Sequence, residues 1–159
     1  MTPTTGAADA PIDIDSSAPS TWIIDSGGMG PLRLGMSLSA AREAVPETDE
    51  CHGISFFWQQ GTNALVYFQQ NDAVRHIESW LPDGPRTASG IGVGSSRYEV
   101  LSAYPDAAAA DTPSSLSWLR SGKLLFGFPF QYADDPDPLP DVVQSIAVTD
   151  LGPFPEFCG

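Results

Sequence analysis

Apolar residues in this chain fall into short alternating runs punctuated by turn residues, and the whole pattern occurs twice. Residues 30–37 are echoed 59 positions later by residues 89–96: Gly35 meets Gly94, Ser37 meets Ser96, Ala44 meets Ala103 and Pro46 meets Pro105, with Leu32 and Leu34 over Ile91 and Val93. With a slip of one residue, Trp58 falls on Trp118, Leu65 on Leu125 and Phe68 on Phe128. Val74 and Ile77 match Val143 and Ile146 at an offset of 69, the extra residues being taken up in the loop 133–140. Insertions confined to loops, with apolar positions kept in register, are what a duplicated structural unit produces.

Each copy predicts the same order of elements. An extended piece and a glycine precede Ser37 or Ser96, which stands as the N-cap of a short helix, and Ser96 with Glu99 makes a capping box. Val100, Leu101 and Tyr104 give the second helix an apolar side; Leu38, Ala41, Ala44 and Val45 do so for the first, and Pro46 and Pro105 end them. Strand-like runs follow at 54–59, 64–69 and 74–80, and again at 115–120, 123–130 and 142–149. One helix on a three-stranded meander is too small to bury its own apolar face. The expected fold is therefore α+β: two tandem helix plus three-stranded antiparallel meander repeats, joined into one sheet with the helices on one face. The domain plan is a flexible acidic tail over 1–21, a first repeat over 22–87, and a second repeat with the C-terminal segment over 88–159.

Composition narrows the function. The 159 residues are 42% hydrophobic, enough for one core, and carry 20 Asp and Glu against seven Lys and Arg, a formal charge of −13. That charge repels phosphate backbones and anionic lipid, so nucleic acid is excluded as a partner, and self-repulsion favours a monomer. No stretch approaches the roughly 18 apolar residues of a membrane span. Cys51 and Cys158 are too few for a tetrahedral metal site and form no C-x-x-C pair. They read as a single disulfide, which in the chain-entropy model contributes about 4 to 5 kcal/mol, with two buried free thiols in a cytosolic protein as the alternative. An acidic spacer ahead of a disulfide-stapled domain leads us to expect an extracellular or cell-envelope protein whose export or lipoprotein leader has been removed.

The run Leu32-Arg33-Leu34-Gly35-Met36-Ser37, followed by a short helix, resembles the opening of the outer-membrane small-protein-A-like and beta-lactamase-inhibitor-like families. The tandem duplication over residues 30–150 is similar to beta-lactamase-inhibitory-protein-like chains, although Ser95 replaces Met36 in the second copy. The resemblance implies protein binding across a concave sheet, with no chemistry performed and no cofactor.

Alternation along the strands puts Val142, Ile146 and Val148 on one side, so by the repeat Ile77 is buried while His76, Glu78 and Trp80 are exposed. Tyr67 joins this surface from the neighbouring strand, opposite Val66 and Phe68. Aromatic residues ringed by polar ones are what protein-recognition surfaces use; the competing reading packs Tyr67 and Trp80 under the segment around Trp22 and Ile23, or at the seam between the repeats. Asp134, Asp135 and Asp137, on a proline-stiffened loop, offer negative charge to a cationic partner; their spacing does not match a calcium-binding loop. His52 and His76 lack the neighbours of a hydrolase triad. The expected function is an exported protein-binding module, with a small-ligand or lipid carrier and an enzyme of unrecognised type as the alternatives.

Overall fold

A computed structural model describes residues 18–45, 49–51, 54–60, 63–110, 116–130 and 140–151. Two seven-residue helices, α1 (Leu38–Ala44) and α2 (Arg97–Ala103), stand 59 positions apart. Ser37 Oγ accepts from the amide of Ala40 at 3.1 Å, and Ser96 Oγ from that of Glu99 at 3.1 Å. Glu99 Oε1 in turn accepts from the Ser96 amide at 2.8 Å, completing the capping box. Replacing either serine with alanine leaves a helix amide without its cap, and each change should cost about 1 kcal/mol in a urea melt; at position 96 the backbone amide still donates to Glu99 Oε1, so only one half of the box is lost.

Just before each cap the backbone turns through a glycine in the left-handed region, Gly35 at φ 90° and Gly94 at φ 99°. The turn aims each helix entry at the last strand of its own repeat. Gly35 N donates to Val74 O at 2.7 Å and Val74 N returns a bond to Met36 O at 2.8 Å; Gly94 N donates to Val143 O and Val143 N to Ser95 O, both at 2.8 Å. The same stitch is therefore made twice, by residues 59 and 69 positions apart.

Among the described residues the strands form two sheets. β1 (Ile23–Asp25), β2 (Gly28–Met29), β3 (Leu32–Arg33) and β8 (Arg86–Thr87) make a small mixed sheet in the order β3-β2-β1-β8, with β1 and β8 parallel. An antiparallel sheet holds β4 (Asp49–Cys51), β5 (Ile54–Gln60), β6 (Asn63–Gln70), β7 (Ala73–Ser79), β9 (Ala108–Ala110), β10 (Leu116–Ser121), β11 (Leu124–Pro129) and β12 (Ser145–Thr149). Its order is β4-β5-β6-β7-β12-β11-β10-β9.

The α+β class is as the sequence predicts, and three details differ. The strands form two sheets rather than one, because the extended pieces around Trp22 and Leu32 pair with each other and with 86–87 instead of extending the meanders. Each half of the larger sheet carries a fourth strand, β4 or β9. The run expected from 142 starts as a strand only at Ser145, since Val142 forms a separate bridge to Ser96, the counterpart of the bridge between Ser37 and Ala73.

The strand order of the large sheet is symmetric about its centre, where the last strands of the two repeats meet. Ile77 pairs with Val148, Glu78 with Ala147 and Ser79 with Ile146. Because Glu78 and Ala147 are themselves repeat equivalents, 69 residues apart, an approximate two-fold axis passes between them.

One face of the sheet presents Leu65, Tyr67, Ile77, Phe126, Ile146 and Val148 to Ala41 and Val45 below α1, Val100 of α2, and Trp22 and Met29 of the small sheet, all in one buried cluster. The opposite face is also withdrawn from water, with Trp118, Leu125 and Ala147 in a second cluster and Val66 buried beside Glu78.

The turn that opens the small sheet holds a paired carboxylate. Asp25 Oδ1 accepts from the Gly27 amide at 2.7 Å and from Arg33 Nη2 at 2.6 Å. Desolvation pushes its carboxyl upward, but the bonds from Arg33 and Gly27 and the guanidinium charge outweigh it and hold the group below its ordinary value of 3.8. A carboxyl depressed in the folded state stabilises above its unfolded value and loses that contribution as pH falls through the folded one. The stability gap between the native chain and Asp25→Ala should be constant near neutrality and lose its charge-dependent part as the pH falls below the ordinary value of 3.8, as thermal melts across that range would show.

Candidate functional site

The ionisable centre of the molecule lies on the two-fold axis. Glu78 is 3% exposed and His76, two residues earlier on the same face of β7, is 0% exposed. Ser145 of β12 is His76's counterpart in the second repeat, 69 residues on, and it too is buried. His76 Nε2 lies 2.8 Å from Glu78 Oε1, and Ser145 Oγ donates to Glu78 Oε2 at 2.5 Å. Each repeat thus supplies the equivalent side chain to one oxygen of a carboxyl standing between them. Thr149, also buried, pairs with His76 across the strands.

This constellation contains a histidine, an acid and a hydroxyl, but its wiring differs from a hydrolase triad. There the hydroxyl gives its proton to the imidazole, which the acid orients from behind. Here the single hydroxyl proton of Ser145 is committed to the carboxyl, and so is the facing imidazole nitrogen. What the arrangement does is satisfy a buried carboxyl from both sides of the seam between repeats.

The surface expected around these residues is absent. Tyr67 lies on the helix-facing side of the sheet with Leu65, fully buried in the cluster that contains Trp22, so the packing alternative is the one adopted. His76 and Glu78 face the other way and are buried, and Trp80, just beyond β7, is half-buried. The physical reason is that both faces of the sheet are covered, so period-two alternation separates two interiors instead of an interior from solvent. Asp134, Asp135 and Asp137 lie outside the described residues, as does Cys158 and with it the expected disulfide to Cys51. Asp141, at the end of the same loop, takes a bidentate grip from Arg97 at 2.8 and 3.0 Å, and that guanidinium lies 4.2 Å above the Phe128 ring. Among the described residues no group of three or more His, Cys, Asp or Glu is placed to hold a metal ion.

The feature that points outward is α2. Its inner residues Val100, Ala103 and Tyr104 pack on the core, whereas Tyr98 is 79% and Leu101 39% exposed. Leu101, read from sequence as part of the apolar side, is turned away from it by one step of the helix. An open depression of about 370 Å³ runs beside this helix, lined by Ser89, Gly90, Ile91, Tyr98, Glu99, Ser102 and Ala103. Neither Tyr98 nor this depression was among the expected site residues. The signal was present in the repeat itself: at the offset of 59, Tyr98 and Leu101 stand over Ser39 and Arg42, while the inward Val100 and Ala103 stand over Ala41 and Ala44.

No family model matches the chain, and no curated protein matches it either. Among solved structures it is similar to the crystal structure of the uncharacterized protein YfeY from Escherichia coli, with a TM-score of 0.56 and 16% identity over 80% of this chain and 99% of that one. It also aligns with a cysteine-rich secretory protein from Staphylococcus aureus, with a TM-score of 0.44 and 6% identity over 74% of this chain and 44% of that one. The similarity to YfeY establishes a shared fold over the whole of that protein. The sequence resemblance to the inhibitor-like and small-protein-A-like families finds no family-level match.

Proposed function

We propose that the chain is an exported or cell-envelope protein-binding module that performs no chemistry of its own. The observation that carries this reading is the divergence of the two helices. A duplicated unit keeps the positions its fold requires, and α1 and α2 keep small or apolar residues inward; outward, α2 has acquired an aromatic and a leucine where α1 has serine and arginine. Apolar side chains that a capped helix holds toward solvent are of the kind that recognition surfaces use. The export reading rests on the acidic, lysine-poor composition and the cysteine pair, and the inhibitor-like reading on the Leu32–Ser37 resemblance alone. The depression beside α2 suits a protruding side chain better than an enclosed lipid, being open and walled by Ser89, Ser102 and Glu99 as well as Ile91 and Ala103.

The test is retention of a stoichiometric protein from envelope extract of the source organism, reproduced with the purified partner by calorimetry. Ester, phosphate and peptide substrates should show no turnover. Turnover abolished by His76→Ala would replace the binding reading with an enzymatic one.

A further inference from the structure

We propose that Met36 is an oxidation site that controls the entry of α1, and that the second repeat escapes the same control because a serine stands in its place. The two turns ahead of the helices close with the same pair of bonds. In the second, Ser95 N donates to Gly92 O at 3.0 Å and Ser95 Oγ accepts from Gly92 N at 3.0 Å. In the first, Met36 N donates to Arg33 O at 3.2 Å, and the acceptor for Arg33 N, at 3.1 Å, is the Met36 thioether sulfur. Positions 33 and 36 stand 59 before 92 and 95, so sulfur does in one copy what a hydroxyl oxygen does in the other.

The two acceptors differ in their chemistry. A hydroperoxide transfers its terminal oxygen to a thioether: the O–O bond breaks, a sulfur–oxygen bond forms on a sulfur lone pair, sulfur gives up two electrons, and the peroxide leaves as an alcohol or water. A serine hydroxyl undergoes no such transfer. Access then selects Met36. Of the chain's three methionines, Met1 lies outside the described residues, Met29 is 0% exposed in the core, and Met36 is half-buried. The product does not suit the turn. A sulfoxide sulfur is electron-poor and no longer accepts from the Arg33 amide, the 3.1 Å contact leaves no room for the new oxygen between the two atoms, and the added polarity falls where Met36 packs against the core cluster. From there the path to the helix is short. Met36 O accepts from Val74 N, and the next residue, Ser37, is the N-cap.

The experiment is amide hydrogen exchange on the full chain before and after treatment with hydrogen peroxide, with the position of each added oxygen read by peptide mass mapping. Met36 should be oxidised well before Met29. Exchange at Arg33, Ala40 and Val74 should then quicken about tenfold, while their counterparts Gly92, Glu99 and Val143 hold within about twofold. Met36→Leu, which conserves side-chain volume, and Met36→Ser, which copies Ser95, should each make these rates indifferent to peroxide. Met1, Cys51 and Cys158 remain in both variants, so a response that arises elsewhere would persist in them. Oxidation of Met36 no faster than that of Met29, exchange unchanged once Met36 is oxidised, quickening shared equally by the two repeats, or the same peroxide response in the variants would each overturn the proposal.

Discussion

Replacing Glu78 with alanine should lower the stability of the chain by about 3 kcal/mol, the scale seen when one member of a buried, hydrogen-bonded polar group is removed. The loss is large because two buried groups lose their bond to the carboxyl at once, the imidazole of His76 and the hydroxyl of Ser145, one from each repeat. For a domain of this size that corresponds to a fall of about 6 to 12 °C in melting temperature. The companion change is equally informative. In the triple variant His76→Leu, Glu78→Ala, Ser145→Ala the three groups that meet at the carboxyl are removed together, so part of the lost stability should return. Urea melts of the single and triple variants separate a network that is costly to break from one that contributes net stability. If Glu78→Ala were neutral, the seam would not depend on the carboxyl.

The second large effect concerns the apolar side of the same seam. Ile77 and Ile146 are repeat equivalents, both fully buried, and each packs in the one cluster that the helices and small sheet cover. Truncating either to alanine should cost about 3 to 4 kcal/mol, transfer and cavity contributions together. Both losses should be of this size because the approximate two-fold places the two isoleucines at equivalent positions of one shared core, Ile77 opposite Val148 and Ile146 opposite Ser79. Each variant should still melt in a single transition. Two transitions, only one of them moved by a given mutation, would mean that the repeats are separate folding units.

Much of this architecture was legible in the sequence because duplication amplifies weak signals. Neither helix has a strong apolar stripe of its own, yet serine caps at an offset of 59 locate both. What could not be read had no chemical signature. β4 is Asp-Glu-Cys and β9 is three alanines, and both are strands only because a neighbour's backbone is available to pair with. The two-residue strands of the small sheet are likewise products of tertiary pairing.

The exposure expected of Tyr67, His76 and Glu78 failed for a different reason. Polar residues in a strand normally mark its wet face, and on that ground His76 and Glu78 belong outside; inside, they are satisfied by each other and by a serine 67 residues away from Glu78. No pattern within one strand reports such a partner. Tyr67 was misplaced because both faces of β6 are interior from Ala64 to Tyr67. The divergence between Tyr98 and Ser39 was readable in the alignment of the two copies, since positions that differ between duplicates while their neighbours agree are released from the demands of the fold.

Native-state hydrogen exchange on the amides of β6, β7, β11 and β12 addresses the duplicated, jointly buried core most directly. A core shared across the Glu78–Ala147 axis predicts that the most protected amides of both halves open with one common free energy, equal to that of global unfolding, and that Glu78→Ala lowers them together. Protection that differs between β6–β7 and β11–β12, or a Glu78→Ala effect confined to one half, would contradict it.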